Sequence, residues 1–245
     1  MANPKPEEVE RESLKDLKII VEKAKEWGVE TVVIGGYAVR AFTNAYRHTK
    51  DIDMAVARGE KGRFTALLKD LNYKLRDTEF GLAASKKFDS DFIDVHISVG
   101  KIYDISTSNS YPITKQLFDE KSDLLVRSRY DDNRKFDTTA PIVDLNTLII
   151  LKLIPKGRPE KDAIDIISLI LDQLERIDIS KIVKQCKETE LTDHIRSQIQ
   201  EFAKKVNDGS MDRVWSDVTG ARLSGVQRRS IQKFLRELDN SLRNS

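Results

Sequence analysis

Apolar residues near the start of the chain recur with the period of a helix. Leu14, Leu17, Val21, Ala24 and Trp27 fall three or four apart, which predicts a helix over residues 7–27 with one buried face and a stop at Gly28. The rhythm then shortens. Thr31–Ile34 is a β-branched apolar run suited to a buried strand, Gly35-Gly36 breaks it, and helix formers resume over residues 37–42. Residues 51–56 alternate with a period of two, Ile52 and Met54 pointing to the core and Asp51 and Asp53 away from it. After Gly59, Phe64, Leu67, Leu68 and Leu71 mark another helix, and an extended region begins at Asn72-Tyr73. Residues 82–88 and 91–99 predict a hairpin turning at Asp89-Ser90. On its second strand Ile93, Val95 and Ile97 share one face, and Phe92, Asp94 and His96 the other.

Beyond this the pattern is weaker. Residues 103–112 are polar and read as a loop, residues 113–118 as a short helix at best, and residues 124–130 and 135–139 as strands around a turn at Asp131-Asp132-Asn133. Pro141 precedes an apolar segment reaching Ile154, in which Leu145, Leu148, Ile149, Leu151 and Leu153 are too many for one face, so this helix should be largely buried. Pro159 and Glu160 suit the first turn of the next helix. From Ile177 onward the chain reads as helical, with amphipathic segments over residues 179–187, 191–206 and 226–242; residues 1–6 look frayed.

Composition narrows the class. Hydrophobic residues make up 39% of the 245, enough for a core, and charged residues 33%, while a net charge of +2 is too small for a general nucleic-acid binder. The single cysteine, Cys186, excludes an intrachain disulfide framework and a cysteine-based zinc site. No apolar run reaches the length of a membrane span and the first residues lack a signal-peptide profile, so a cytoplasmic protein with no membrane partner is expected.

The chemistry collects around the second strand. A helix starting at Gly35-Gly36 would present free backbone N–H groups and the positive end of its dipole, a cradle for phosphate. Two adjacent carboxylates on one strand face, Asp51 and Asp53, suit a hard cation such as Mg²⁺. Asp94 supplies a third acid on the outer face of its strand, with Asp91 as a rival nearer the turn and His96 expected to be a hydrogen-bonded structural histidine. Lys152 stands out because a lysine among aliphatic residues must snorkel or meet an anion.

Taken together, the order of apolar strand, Gly35-Gly36, short helix and Arg47-x-Thr49-x-Asp51-Ile52-Asp53 resembles the signature of the nucleotidyltransferase superfamily, and within it the abortive-infection-type toxin branch. The passage holding Leu148-x-x-x-Lys152-Leu153 and Lys161-Asp162-x-x-Asp165 resembles a second block of that branch, and the likeness covers roughly residues 30–170. It implies an α+β fold: a polymerase-β-like core with a mixed sheet flanked by helices over residues 1–140, and a helical C-terminal region over 141–245 completing the nucleotide cleft. It further implies transfer of a nucleoside monophosphate from an NTP to a hydroxyl with release of pyrophosphate. Asp51, Asp53 and Asp94 would be catalytic and hold two Mg²⁺ ions, with Mn²⁺ as a substitute. Gly35, Gly36, Lys152, Lys50 and Asp162 would bind nucleotide, Asp165 would sit nearby, and Arg47 has two readings, a phosphate contact or a brace for the loop before the acidic strand. The implied acceptor is tRNA, in a toxin-like role with a cognate antitoxin as partner. Antibiotic modification and a non-catalytic nucleotide-binding module are the other uses of the same core.

Overall fold

The computed structural model describes residues 4–44, 46–78, 81–104, 109–130, 135–155 and 160–244. The chain divides into two compact units: residues 1–41, 48–103 and 110–144 form one, and residues 42–47, 104–109 and 145–245 the other.

The first unit opens with α1 (Pro6–Glu26), followed by β1 (Thr31–Ile34), α2 (Gly35–Phe42), β2 (Ile52–Val56) and α3 (Lys61–Asp70). Next come β3 (Lys74–Thr78), β4 (Gly81–Phe88), β5 (Asp91–Val99), β6 (Lys101–Tyr103), β7 (Ser110–Pro112), α4 (Lys115–Asp119), β8 (Ser122–Val126) and β9 (Thr138–Ile142). Seven strands make one mixed sheet in the order β3-β4-β5-β2-β1-β9-β8. β2 lies at its centre, antiparallel to β1 and parallel to β5. All four residues of β1 are buried, as a central strand covered on both faces requires.

α1 follows its predicted period, with Val9, Leu14, Leu17, Ile20 and Ala24 buried, each large side chain worth about 1.5–3 kcal/mol. Three polar residues share that face and each is answered. Arg40 forks onto Glu10 at 2.6 and 2.7 Å, Ser13 Oγ donates to the Lys50 carbonyl at 2.5 Å, and Asp16 accepts from Tyr73 and Lys86. The helix ends at Gly28 as expected: φ is +63°, and the N–H groups of Gly28 and Val29 return to the carbonyls of Lys25 and Ala24, a Schellman closure. Trp27 departs from expectation. It lies in the cap, where the chain leaves the helical path, and is exposed, while Val21 is only half-buried.

The hairpin of β4 and β5 turns at Asp89-Ser90 as predicted. Residues 103–112 do not form a simple loop: β6 and β7 pair as a short antiparallel ribbon, with residues 105–108 outside the described residues. β8 and β9 pair antiparallel, shifted from the predicted strands so that Pro141 lies inside β9; the expected turn at 131–133 falls outside the described residues.

The second unit carries α5 (Leu145–Leu153), α6 (Glu160–Gln173), α7 (Ile179–Glu188), α8 (Thr192–Asn207), α9 (Ser210–Thr219) and α10 (Gly225–Arg243). α5 is buried nearly all round, as its composition required. α10 packs against α6, α7 and α8, and opens with a capping box between Ser224 and Gln227. Pro159, expected in the first turn of α6, falls outside the described residues. None of the described helices is long and apolar enough to cross a membrane.

Candidate active site

The site grows from one junction. β1 ends at Ile34, which lies opposite Asp53 on β2. The next residue, Gly35, has φ +69° and begins α2. A Cβ built on it would lie 2.0 Å from Asp53 Oδ2 and 2.7 Å from its Cγ, so the carboxylate occupies the space a side chain would fill. Only glycine satisfies both the backbone and the packing here. The carboxylate therefore rests on the backbone at the start of a helix whose first N–H groups have no partners within the helix.

β5 supplies the other wall. Asp53 lies opposite His96, and one rung earlier Ile52 lies opposite Val95, so the same register carried one residue further sets Asp51 beside Asp94. Ile52, Met54, Ile93, Val95 and Ile97 are buried on the far face, and Asp51, Asp53 and Asp94 are half-buried on the near one. His96 Nδ1 lies 2.9 Å from Asp53 Oδ1. That hydrogen bond raises the histidine pKa, the charges of Asp53, Asp51 and Asp94 push the same way, and burial opposes them. The Asp94 carboxylate makes no hydrogen bond or ion pair among the described residues.

Hard oxygen donors on adjacent strands are the donor chemistry that Mg²⁺ takes. Among the described residues, no three His, Cys, Asp or Glu side chains converge on one point. The acids thus form an open row of neighbours on one sheet face rather than a closed cage.

The segment entering β2 is held at several atoms. Tyr37 donates its hydroxyl to the Thr49 carbonyl at 3.2 Å, and Ser13 holds the carbonyl of Lys50. The Lys50 ammonium, expected at nucleotide, sits 2.6 Å from Asp91. Asp91 also accepts from the Phe92 N–H, and the Lys50 hydrogen bond and then this one hold its pKa below the usual carboxylate value.

Lys152 and Asp162, also expected at nucleotide, lie in the helical unit. The buried Lys152 ammonium stands 2.9 Å from Asp162 Oδ1 and 2.8 Å from Asp165 Oδ2. Arg47 completes the group by donating Nε and a terminal N–H to the two Asp165 oxygens at 2.6 Å each. Two cations and two carboxylates balance. Burial acts against the charge of Asp165, but Lys152 and Arg47 together hold its pKa below the usual value. In the same unit α6 grips the rest of this segment: Asp172 accepts from Asn44 and Tyr46, and Gln173 donates to the Phe42 carbonyl. The pattern Arg47-x-Thr49 and the pair Asp162/Asp165 each drew notice in the sequence, but nothing there joins them. The parts played by Ser13 and Tyr37 left no sequence signal at all.

No protein-family model and no curated protein matches the sequence. Solved structures do. JHP933 from Helicobacter pylori aligns over 96% of this chain and 95% of its own at 14% identity, with a TM-score of 0.52. A proposed nucleotidyltransferase from H. pylori aligns over 96% and 95% at 11% identity, with a TM-score of 0.51. ANT(2'')-Ia in complex with adenylyl-2''-tobramycin aligns over 72% of this chain and 96% of its own at 13% identity; its TM-score of 0.48 gives it no weight here. The chain has the nucleotidyltransferase fold, a mixed sheet flanked by helices with a helical C-terminal region.

Proposed function

We propose that this chain is a nucleotidyltransferase that moves a nucleoside monophosphate from an NTP to a hydroxyl and releases pyrophosphate. The observation that carries it is the Gly35–Asp53 junction, which joins a helix start suited to phosphate with a carboxylate on an acidic strand. Gly35 and Gly36 let the triphosphate approach the backbone, and the first N–H groups of α2 hold its oxygens. Asp51, Asp53 and Asp94 would hold Mg²⁺, or Mn²⁺ in its place, which supplies positive charge where negative charge gathers during transfer. Asp94, whose carboxylate has no hydrogen-bonding partner among the described residues, accepts the proton of the attacking hydroxyl. His96 fixes the orientation of Asp53 through its hydrogen bond. Lys152 and Asp162 take a different role from the one the resemblance implies: with Asp165 they brace Arg47 inside the helical unit.

The acceptor follows from the resemblance, which points to the hydroxyl of a tRNA and to a toxin-like role in the cytoplasm, opposed by a cognate antitoxin. The test is incubation with each labelled NTP, Mg²⁺ and a pool of tRNA, protein and aminoglycoside. Label entering the tRNA with release of pyrophosphate is the expected result. Label in another fraction overturns the acceptor, and no label in any fraction overturns the transfer.

A further inference from the structure

One face of the sheet beyond the acidic strand is cationic and aromatic. Strand partners share a face, so the pairings place Lys74, Ser85 and Asp94 in one row across β3, β4 and β5. Arg76, Ala83 and His96 form the row on one side, and Lys87 and Phe92 the row on the other. All lie on the face of Asp51 and Asp53, because β5 pairs with β2 through His96 and Asp53. The side chains of Lys74, Arg76 and Lys87 are exposed and make no ion pair or hydrogen bond among the described residues. Phe92 is 49% exposed, one rung from the turn of the hairpin and opposite Lys87. Its neighbours in the strand, Asp91 and Ile93, turn to other partners or to the core, and its cross-strand neighbour on the same face is Lys87.

An exposed aromatic ring beside unpaired cations fits a strand of nucleic acid, whose bases stack on the ring while its phosphates meet the cations. Lys74 and Lys87 are near-diagonal neighbours, and the two strand spacings from Lys74 to Asp94 amount to about 10 Å. That is a reach of one to two nucleotides, so a strand end at Asp94 would lay its preceding phosphates over the cations. We infer that the open face of β3, β4 and β5 binds the single-stranded end of an RNA acceptor, with Phe92 stacking an unpaired base and Lys74, Arg76 and Lys87 holding the backbone. This rests on the transferase reading for the use of the bound strand, not for its binding.

The test is fluorescence anisotropy of a short labelled oligouridylate without NTP, over a range of salt. Lys74→Ala, Arg76→Ala and Lys87→Ala combined should weaken binding at least tenfold at low salt and flatten the salt slope by about two, the effect of three lost charges on a single strand. Phe92→Ala should weaken it about tenfold with the slope unchanged. All four side chains are exposed, so an unchanged circular-dichroism melt confirms intact variants, and Lys87→Glu alone serves if the triple variant melts early. Equal binding of a duplex of the same length overturns the stacking role. Loss of binding on changing Arg222, Arg229 and Arg236 of the helical unit, with none from the sheet variants, overturns the surface. Binding that depends on the sheet residues but no transfer from NTP leaves the surface standing and removes the transferase reading. Transfer to protein or aminoglycoside with no oligouridylate binding does the reverse.

Discussion

At the scale of the residue, Gly35 and Asp53 are one object. A methyl group at position 35 would overlap the carboxylate, and φ +69° disfavours any L side chain by a further ~1–2 kcal/mol. Gly35→Ala is therefore expected both to lower stability by at least about 1 kcal/mol in a urea melt and to abolish transfer. Asp53→Asn separates the two effects. It removes one charge from a repelling row, so the melt should hold or rise slightly while incorporation of labelled NMP is lost. Period-two geometry makes a sharper contrast between Asp91 and Asp94. Asp91 is committed to Lys50 at the surface, an exposed pair worth little, whereas Asp94 faces the acidic row. Asp91→Asn should keep transfer and Asp94→Asn should lose it by orders of magnitude in the same assay; equal rates would remove Asp94 from the mechanism.

At the scale of the element, α6 gains its importance from what it buries. Asp165 is almost wholly enclosed between Lys152 and Arg47, and removing one member of such a group leaves charge without compensation. Asp165→Asn should cost about 3–5 kcal/mol in a denaturant melt. Its pH dependence has a definite sign. A depressed carboxylate pKa contributes stability in full above the ordinary value of 3.8 and loses it as pH falls through the lower folded value. The difference between wild type and variant should thus stay level from neutral pH to about pH 4 and shrink only below that. Sequence periodicity found α3, β2, β5 and α10 because each has one face meeting a core, and β1 because an unbroken β-branched run suits a strand buried on both; a two-residue repeat likewise fixed the side on which Asp51, Asp53 and Asp94 lie. It missed what depends on partners remote in the chain. α9 lies in the stretch read as helical but was not marked as a segment of its own, although Trp215 is buried in it against Tyr46, and the β6–β7 ribbon has strands too short to show alternation. The polar residues of α1 read as surface until Arg40, Lys50 and Tyr73 arrive from elsewhere to meet them.

At the scale of the whole molecule, the acidic row offers a reading that needs no substrate. Ions that bind the folded chain alone raise its melting temperature, by about 2.7 kcal/mol of stability at a hundredfold excess over Kd. Millimolar Mg²⁺ should raise the melt of the wild type and leave that of Asp51→Asn combined with Asp53→Asn unmoved; an equal rise in both would place the ion elsewhere. The sheet also has a history built into its order. β1 and β9 pair in parallel through Val33 and Ile142, more than a hundred residues apart along the chain, while β2 reaches β1 after one short helix. On the ribosome the first strands and the acidic row are made early, yet β1 keeps a bare edge until β9 emerges. Closing so long a loop is slow, and an unpaired apolar strand is sticky while it waits. A nascent chain that has left the ribosome as far as some point between residues 99 and 138 would have its carboxylates in place and its sheet open at β1, and that interval is where a chaperone has most to gain by binding.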